Sequence, residues 1–416
     1  MKNNETTTRR PELLSPAGDP EKLVLAVEYG ADAVYLAGRA YGMRAGAGNF
    51  ADDELRRAIA HCHNRGVKVH VTCNTIPNDD EMAALPAFLE RLDDAGADVV
   101  ILADLGVLHA AKKFAPHAAV HMSTQAGVMN ADTARAFYDL GASRVVLARE
   151  LSLDRIAALR AKTPPELELE AFCHGAMCVS FSGRCTLSNY LTGRDANRGE
   201  CAQPCRWKYH LVEERRPGEY FEISEDGGTY ILNSRDMCTI SHIPELLDAG
   251  VTSFKIEGRT KSGYYAAAVT NAYRAALDAA LAGEPLDPAW EREVYHVSHR
   301  PYSTGFYFGE PGQYTDDACY FAESDVAAMV ESCATDGRAV LTQRNRFFPG
   351  DELELLMPGR LPISFTVGEL TDACGHPVAV ASHPKMELHT ALPVCAPRYS
   401  FLRKKRTVAL SGHGIG

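Results

Sequence analysis

The chain has 416 residues, 46 % hydrophobic and 23 % charged, enough apolar material for a large core and too ordinary a composition for global disorder. Its 43 basic and 54 acidic residues leave a net charge of -11, which excludes a basic coat over the whole molecule, so any nucleic-acid contact must use a local patch. The polar start has no signal-peptide run and no later stretch nears the roughly 18 apolar residues of a membrane helix, so a cytoplasmic protein with no membrane partner is expected.

In chain order, short β-branched apolar runs occur at 12–15, 33–37, 68–73, 99–103, 119–122, 144–148, 167–172 and 253–256. Amphipathic stretches with helical spacing separate them, at 20–29, 52–65, 81–95, 132–140 and 153–161. Gly30, Gly66, Gly96, Gly141 and Gly250 follow such stretches, where a left-handed cap turns a helix into the next strand. Eight βα repeats favour an α/β fold of the (β/α)8 TIM-barrel type over an open doubly wound sheet. The barrel domain is expected over 1–287, with a cysteine-rich insertion at 173–238. From 288 to 416 the pattern changes to alternating runs with turn signals, which predict a small antiparallel β-barrel ending in a basic tail of Arg398, Arg403, Lys404, Lys405 and Arg406. That tail is a candidate grip on an RNA backbone.

In a barrel the active site lies where strands end and βα loops begin. The residues there are polar: Asn74, Asp104, Ser123 to Gln125, Arg149 and Glu150, His174, and Glu257 to Arg259. The insertion holds six of the twelve cysteines, Cys173, Cys178, Cys185, Cys201, Cys205 and Cys238. In a reducing compartment such a cluster reads as metal or redox chemistry. Structural zinc sites usually show paired Cys-x2-Cys knuckles, and none is present, so the wide spacing favours a [4Fe-4S] cluster over zinc or free thiols. Six candidates for four places leave the ligand set open. The insertion also interleaves Arg184, Arg194, Arg198, Arg206 and Lys208 with Phe181, Tyr190, Trp207 and Tyr209, a mixture suited to phosphate contacts and base stacking.

The segment from Glu170 to Ser188, containing Cys-His-Gly-Ala-Met-Cys and Ser-Gly-Arg-Cys, resembles the signature of the collagenase-like peptidase family U32. Glu12 to Gly18, Ser123 to Gln125, Arg149-Glu150, Asn197 to Cys201, Asn233 to Cys238 and Lys255 to Arg259 extend the resemblance. Val297 to Phe306 is similar to the family's tRNA-modifying branch. The resemblance implies oxygen-independent 5-hydroxylation of uridine at the tRNA wobble position, with a cysteine-bound [4Fe-4S] cluster and prephenate as co-substrate. Carried over, it implies Cys178, Cys185, Cys201 and Cys238 as ligands. Members with a Cys-x3-Cys pair offer Cys205 instead of one of them.

For that reaction, Arg44, Arg149 and Arg259 are candidate forks for a dianionic metabolite, with Arg184 and Arg198 on the RNA. Lys255 and Glu257 are two apart on one strand and point to the same side. His174 is the expected base, with Asn74 and Asp236 orienting a proton or the substrate. Two other readings stand beside this one. A peptidase needs an activated nucleophile or a metal-bound water, and the sequence has neither a Gly-x-Ser-x-Gly elbow nor His-Glu-x-x-His. A cluster-carrying RNA-binding subunit would need a partner, and a homo-oligomer is also open.

Overall fold

A computed structural model describes residues 10–43, 47–211, 221–222, 232–314 and 319–406. Its barrel strands are β1 (Glu12–Pro16), β2 (Ala33–Leu36), β3 (Lys68–Cys73), β4 (Val99–Leu102), β5 (Ala119–Met122), β6 (Arg144–Val146), β7 (Glu168–Ala176) and β8 (Ser253–Ile256). Each pairs in parallel with the next, and β8 bonds to both β7 and β1, closing the ring. All eight runs read from the sequence are strands. They are legible because strands covered on both faces are nearly continuous apolar runs.

Helices α1 (Pro20–Glu28), α2 (Asp52–His63), α3 (Asp79–Asp94), α4 (Leu105–Phe114), α5 (Ala131–Asp139) and α6 (Leu153–Arg160) cover the ring. Side chains of Asp19, Asn78, Asp104 and Asn130 accept backbone N–H bonds at four of their starts, satisfying donors that the helix leaves over. The five glycines expected at helix ends all have positive φ. Beyond β7 come α7 (Leu187–Thr192), α8 (Ile243–Asp248), the long α9 (Gly263–Ala282) and α10 (Pro288–Glu293). No described helix is long and apolar enough to cross a membrane.

Alternation along the strands sorts side chains into an outer layer packed on helices and an inner layer. Half of the inner layer is apolar, with Leu14, Ala33, Tyr35, Val99 and Ile101 in one cluster. The other half is charged. Arg144, buried on β6, reaches Glu12 at 2.6 Å, Glu168 at 2.6 Å and Glu170 at 3.0 Å. Lys255 bonds the other oxygen of Glu170 at 2.7 Å. Buried charges persist only when paired, and here every one is held by opposite charge.

The C-terminal strands are β9 (Ser324–Cys333), β10 (Arg338–Gln343), β11 (Glu352–Leu356), β12 (Ile363–Thr366), β13 (Glu387–Ala391) and β14 (Phe401–Lys405). They form one antiparallel half-barrel sheet in the order β12-β11-β14-β9-β10-β13 with its own apolar core. The basic tail is therefore strand β14, and its charges are engaged. Arg403 is buried and holds Glu293 of α10 at 2.7 Å, Glu354 at 2.8 Å and the Tyr264 hydroxyl at 3.0 Å, joining sheet to barrel. Lys404 pairs with Asp351, Lys405 with Glu354, Arg406 with Asp325 and Arg398 with Glu331.

Candidate active site at the barrel mouth

The segment after β7 folds back over the C-terminal ends of the strands. It is pressed onto them by close contacts: a Cβ on Gly183, where φ is +75°, would sit 2.9 Å from the Cβ of Gln125. The ring of Phe181 likewise fills the space above Gly127. Within the segment, Asn197 Nδ2 donates to the Cys185 carbonyl at 3.1 Å and the Ala202 N–H donates to Ser188 Oγ at 3.0 Å. Gln203, between Cys201 and Cys205, has a left-handed φ of 58°, which turns the chain sharply enough to bring the two thiols to one wall.

The result is a cleft of about 160 Å³ between the strand ends and the insertion. Cys178, Cys185, Cys201 and Cys205 line it from above, and Asn74, Arg149, Lys255, Glu257 and Arg259 from below. Asn74 Nδ2 donates to Gln125 Oε1 at 2.6 Å while its Oδ1 accepts the Met43 N–H. The Arg149 guanidinium stacks 3.9 Å from the Phe172 ring centre and leans towards Ser182 Oγ at 3.5 Å. Arg259 donates to Thr72 and Asn49. Lys255 lies over Tyr35, with Nζ 4.6 Å from the ring centre, and the Tyr35 hydroxyl donates to Glu257 at 3.3 Å. Burial pushes the Cys205 thiol up, Arg206 pulls it down, and neighbouring Cys178 and Cys201 push it up again, a sign of how close these sulfurs are.

Other expected site residues lie elsewhere. Cys238 lines no part of the cleft. It ends a short strand, Asp236–Cys238, antiparallel to the end of β7, and its sulfur accepts the Tyr273 hydroxyl at 3.8 Å. Burial raises that thiol to about 11. Asp236 is consumed by Arg300, which donates from Nη2 at 2.5 Å and Nε at 3.1 Å. His174 is 1 % exposed, enclosed by Tyr265, Tyr273 and Tyr302, and burial lowers its pKa to about 3. His174 therefore stands in the aromatic cage, away from the residues that line the cleft. Arg198 pairs with Glu81 and donates to the Ile76 carbonyl, which clamps the insertion to the start of α3. Arg184 is exposed outside the cleft. Arg44 lies outside the described residues.

Sequence reasoning missed Tyr35, Thr72 and Phe172 as part of the cleft floor. They sit inside apolar strand runs, and the signal was their even spacing from polar neighbours on the same strand. It also missed the charged inner layer, although Arg144 and Glu170 stand out within otherwise apolar runs.

A parallel barrel whose C-terminal face carries cations, a carboxylate and a canopy of four thiols defines a barrel enzyme with a metal-capable mouth. Residues 18–317 match the family described as Peptidase family U32, and residues 322–403 its C-terminal domain. The chain belongs to peptidase family U32. It is 36 % identical over 384 residues to "tRNA hydroxylation protein P1" of Bacillus subtilis, covering 91 % of this chain and 90 % of that protein. It is 34 % identical to "tRNA hydroxylation protein P" of Escherichia coli, covering 89 % and 91 %. With the Escherichia coli "23S rRNA 5-hydroxycytidine C2501 synthase" it shares 38 % identity over 66 % of this chain and 40 % of that one.

Proposed function

We propose that this chain is an RNA-modifying hydroxylase that acts on a uridine of tRNA at the wobble position, with a [4Fe-4S] cluster and prephenate as co-substrate. The observation that carries the reading is the joint lining of one cleft by Cys178, Cys185, Cys201 and Cys205 with Arg149, Lys255, Glu257 and Arg259. Relatives aligned over nearly the whole chain are named for tRNA hydroxylation, which favours tRNA over other RNA.

The donor set fits the cluster. Four thiolates are its usual ligands. Among the described residues no three cysteine sulfurs lie within 4.8 Å of one another, whereas a tetrahedral zinc with bonds of about 2.3 Å draws its sulfurs to roughly 3.8 Å. Cys205 takes the fourth place instead of Cys238, because Cys205 faces the same space as the other three. When bound, the cluster supplies one-electron chemistry.

The chain's own residues divide the remaining work. Arg149, held flat on Phe172, and Arg259 present guanidinium groups to the two carboxylates of prephenate. A uridine unstacked from its neighbours enters beneath Phe181. Glu257 is the carboxylate facing the cleft and can hold a proton there, while Lys255 lines the same floor beside it. A peptidase would need a nucleophile beside a base, and no histidine lines the cleft among the described residues.

The test is anaerobic incubation of the iron-reconstituted chain with unmodified tRNA and prephenate, followed by mass analysis of nucleosides. Gain of one oxygen on uridine supports the reading. Bound tRNA with no modified nucleoside would favour a cluster-carrying subunit that needs a partner.

A further inference from the structure

Beneath the cleft floor lies a polar layer that the proposed reaction does not use. His70, His121 and Glu170 stand two residues before Thr72, Ser123 and Phe172 on β3, β5 and β7, so they point to the same interior side one layer deeper. One ligating atom from each lies within 4.8 Å of the other two. They are 0 %, 3 % and 0 % exposed, and the two imidazoles meet edge to face with centres 5.0 Å apart.

Neither ring nitrogen of His70 has a hydrogen-bond partner, nor has Nδ1 of His121. Buried polar groups almost always find one. The nearest carboxylate oxygen to His70 Nε2 outside the trio is that of Glu12, at 3.9 Å, and it is already held by Arg144. The charged groups facing the layer are Glu12, Glu168 and Glu170 against Arg144 and Lys255, an excess of one negative charge. A neutral imidazole offers a ring-nitrogen lone pair to a metal. Two imidazoles and one carboxylate are a ligand set for zinc and for ferrous iron.

We propose that His70, His121 and Glu170 form a buried divalent-metal site of the zinc class, separate from the four cysteines. An ion there takes one ring nitrogen from each imidazole and offsets the excess negative charge. It also braces the floor of the cleft, because Lys255 bonds Glu170 while lining the cleft above. The site is a structural support under the mouth and takes no part in the bond changes.

The test uses the full chain carrying Cys178→Ser, Cys185→Ser, Cys201→Ser and Cys205→Ser, so that sulfur-bound metal is not counted. It is equilibrated with Zn²⁺, cleared of loosely held ion on a chelating resin and assayed for zinc by mass spectrometry. About one zinc per chain, with affinity falling at least about tenfold on adding His70→Gln or His121→Gln, is the expected result. Zinc at background, or zinc unchanged in both variants, overturns the site. If the variants do not fold, anomalous diffraction at the zinc edge from crystals of the zinc-equilibrated unsubstituted chain decides. A peak among the three side chains supports the site, and density there without anomalous signal shows a water and overturns it.

Discussion

Cys205 and Cys238 separate two ligand sets that the sequence leaves open. Cys205 faces the thiols of Cys178 and Cys201, whereas Cys238 is buried under the Tyr273 hydroxyl. Iron and sulfide content should therefore fall sharply in Cys205→Ser, as in Cys178→Ser, and stay near the unsubstituted level in Cys238→Ser; the reverse pattern would restore Cys238 to the set. Glu257→Gln removes the proposed proton acceptor, so kcat for nucleoside hydroxylation should drop about 10²- to 10⁴-fold with tRNA binding retained. His174 bears on stability through its burial. Its folded pKa of about 3 lies below the ordinary 6.5, so the unfolded chain binds the extra proton first as pH falls. Its stabilisation is complete above pH 6.5, is lost as pH drops towards 3, and amounts to something on the order of 4 kcal/mol. Urea midpoints between pH 7 and pH 4.5 should fall steeply in the unsubstituted chain and less steeply in His174→Gln.

At the scale of elements, two basic segments that look alike in sequence differ in what their charges meet. Strand β14 spends Arg403 on Glu293 and Glu354 and each following cation on an acidic neighbour. The insertion leaves Arg184, Arg194 and Lys208 exposed near the cleft. Replacing these three with Gln should weaken tRNA binding and flatten its salt dependence by about three counterions, while Lys404→Gln with Lys405→Gln should change it little. A filter-binding salt titration reads both. Arg403→Ala leaves the Glu293 carboxylate buried without its partner and should cost about 3–5 kcal/mol in denaturant unfolding. No periodicity in the sequence distinguishes these segments, because the acidic partners come from α10, from β9, and from β11 and the turn before it, far along the chain. The same holds for Arg198, whose partner Glu81 caps α3.

For the whole molecule, the barrel was legible because each parallel strand is an apolar run closed by a glycine-capped helix, and Gly30, Gly66, Gly96, Gly141 and Gly250 mark that period. The rule that loops after strands build the site gathers Asn74, Arg149, Lys255, Glu257 and Arg259, which line one cleft. The burial of His174 and the pairing of Asp236 with Arg300 were not legible, since neither can be read from order along a chain. The polar inner layer of His70, His121, Arg144 and Glu170 was hidden for a related reason: it is assembled from four strands, each contributing one residue. The central claim is that the four-cysteine canopy and the charged floor together hydroxylate tRNA. The most direct measurement is nucleoside mass analysis of tRNA from cells lacking this chain, supplied with either the unsubstituted chain or Cys205→Ser. The account predicts that hydroxylated uridine returns only with the unsubstituted chain, and its return in full with Cys205→Ser, or its absence with both, would contradict it.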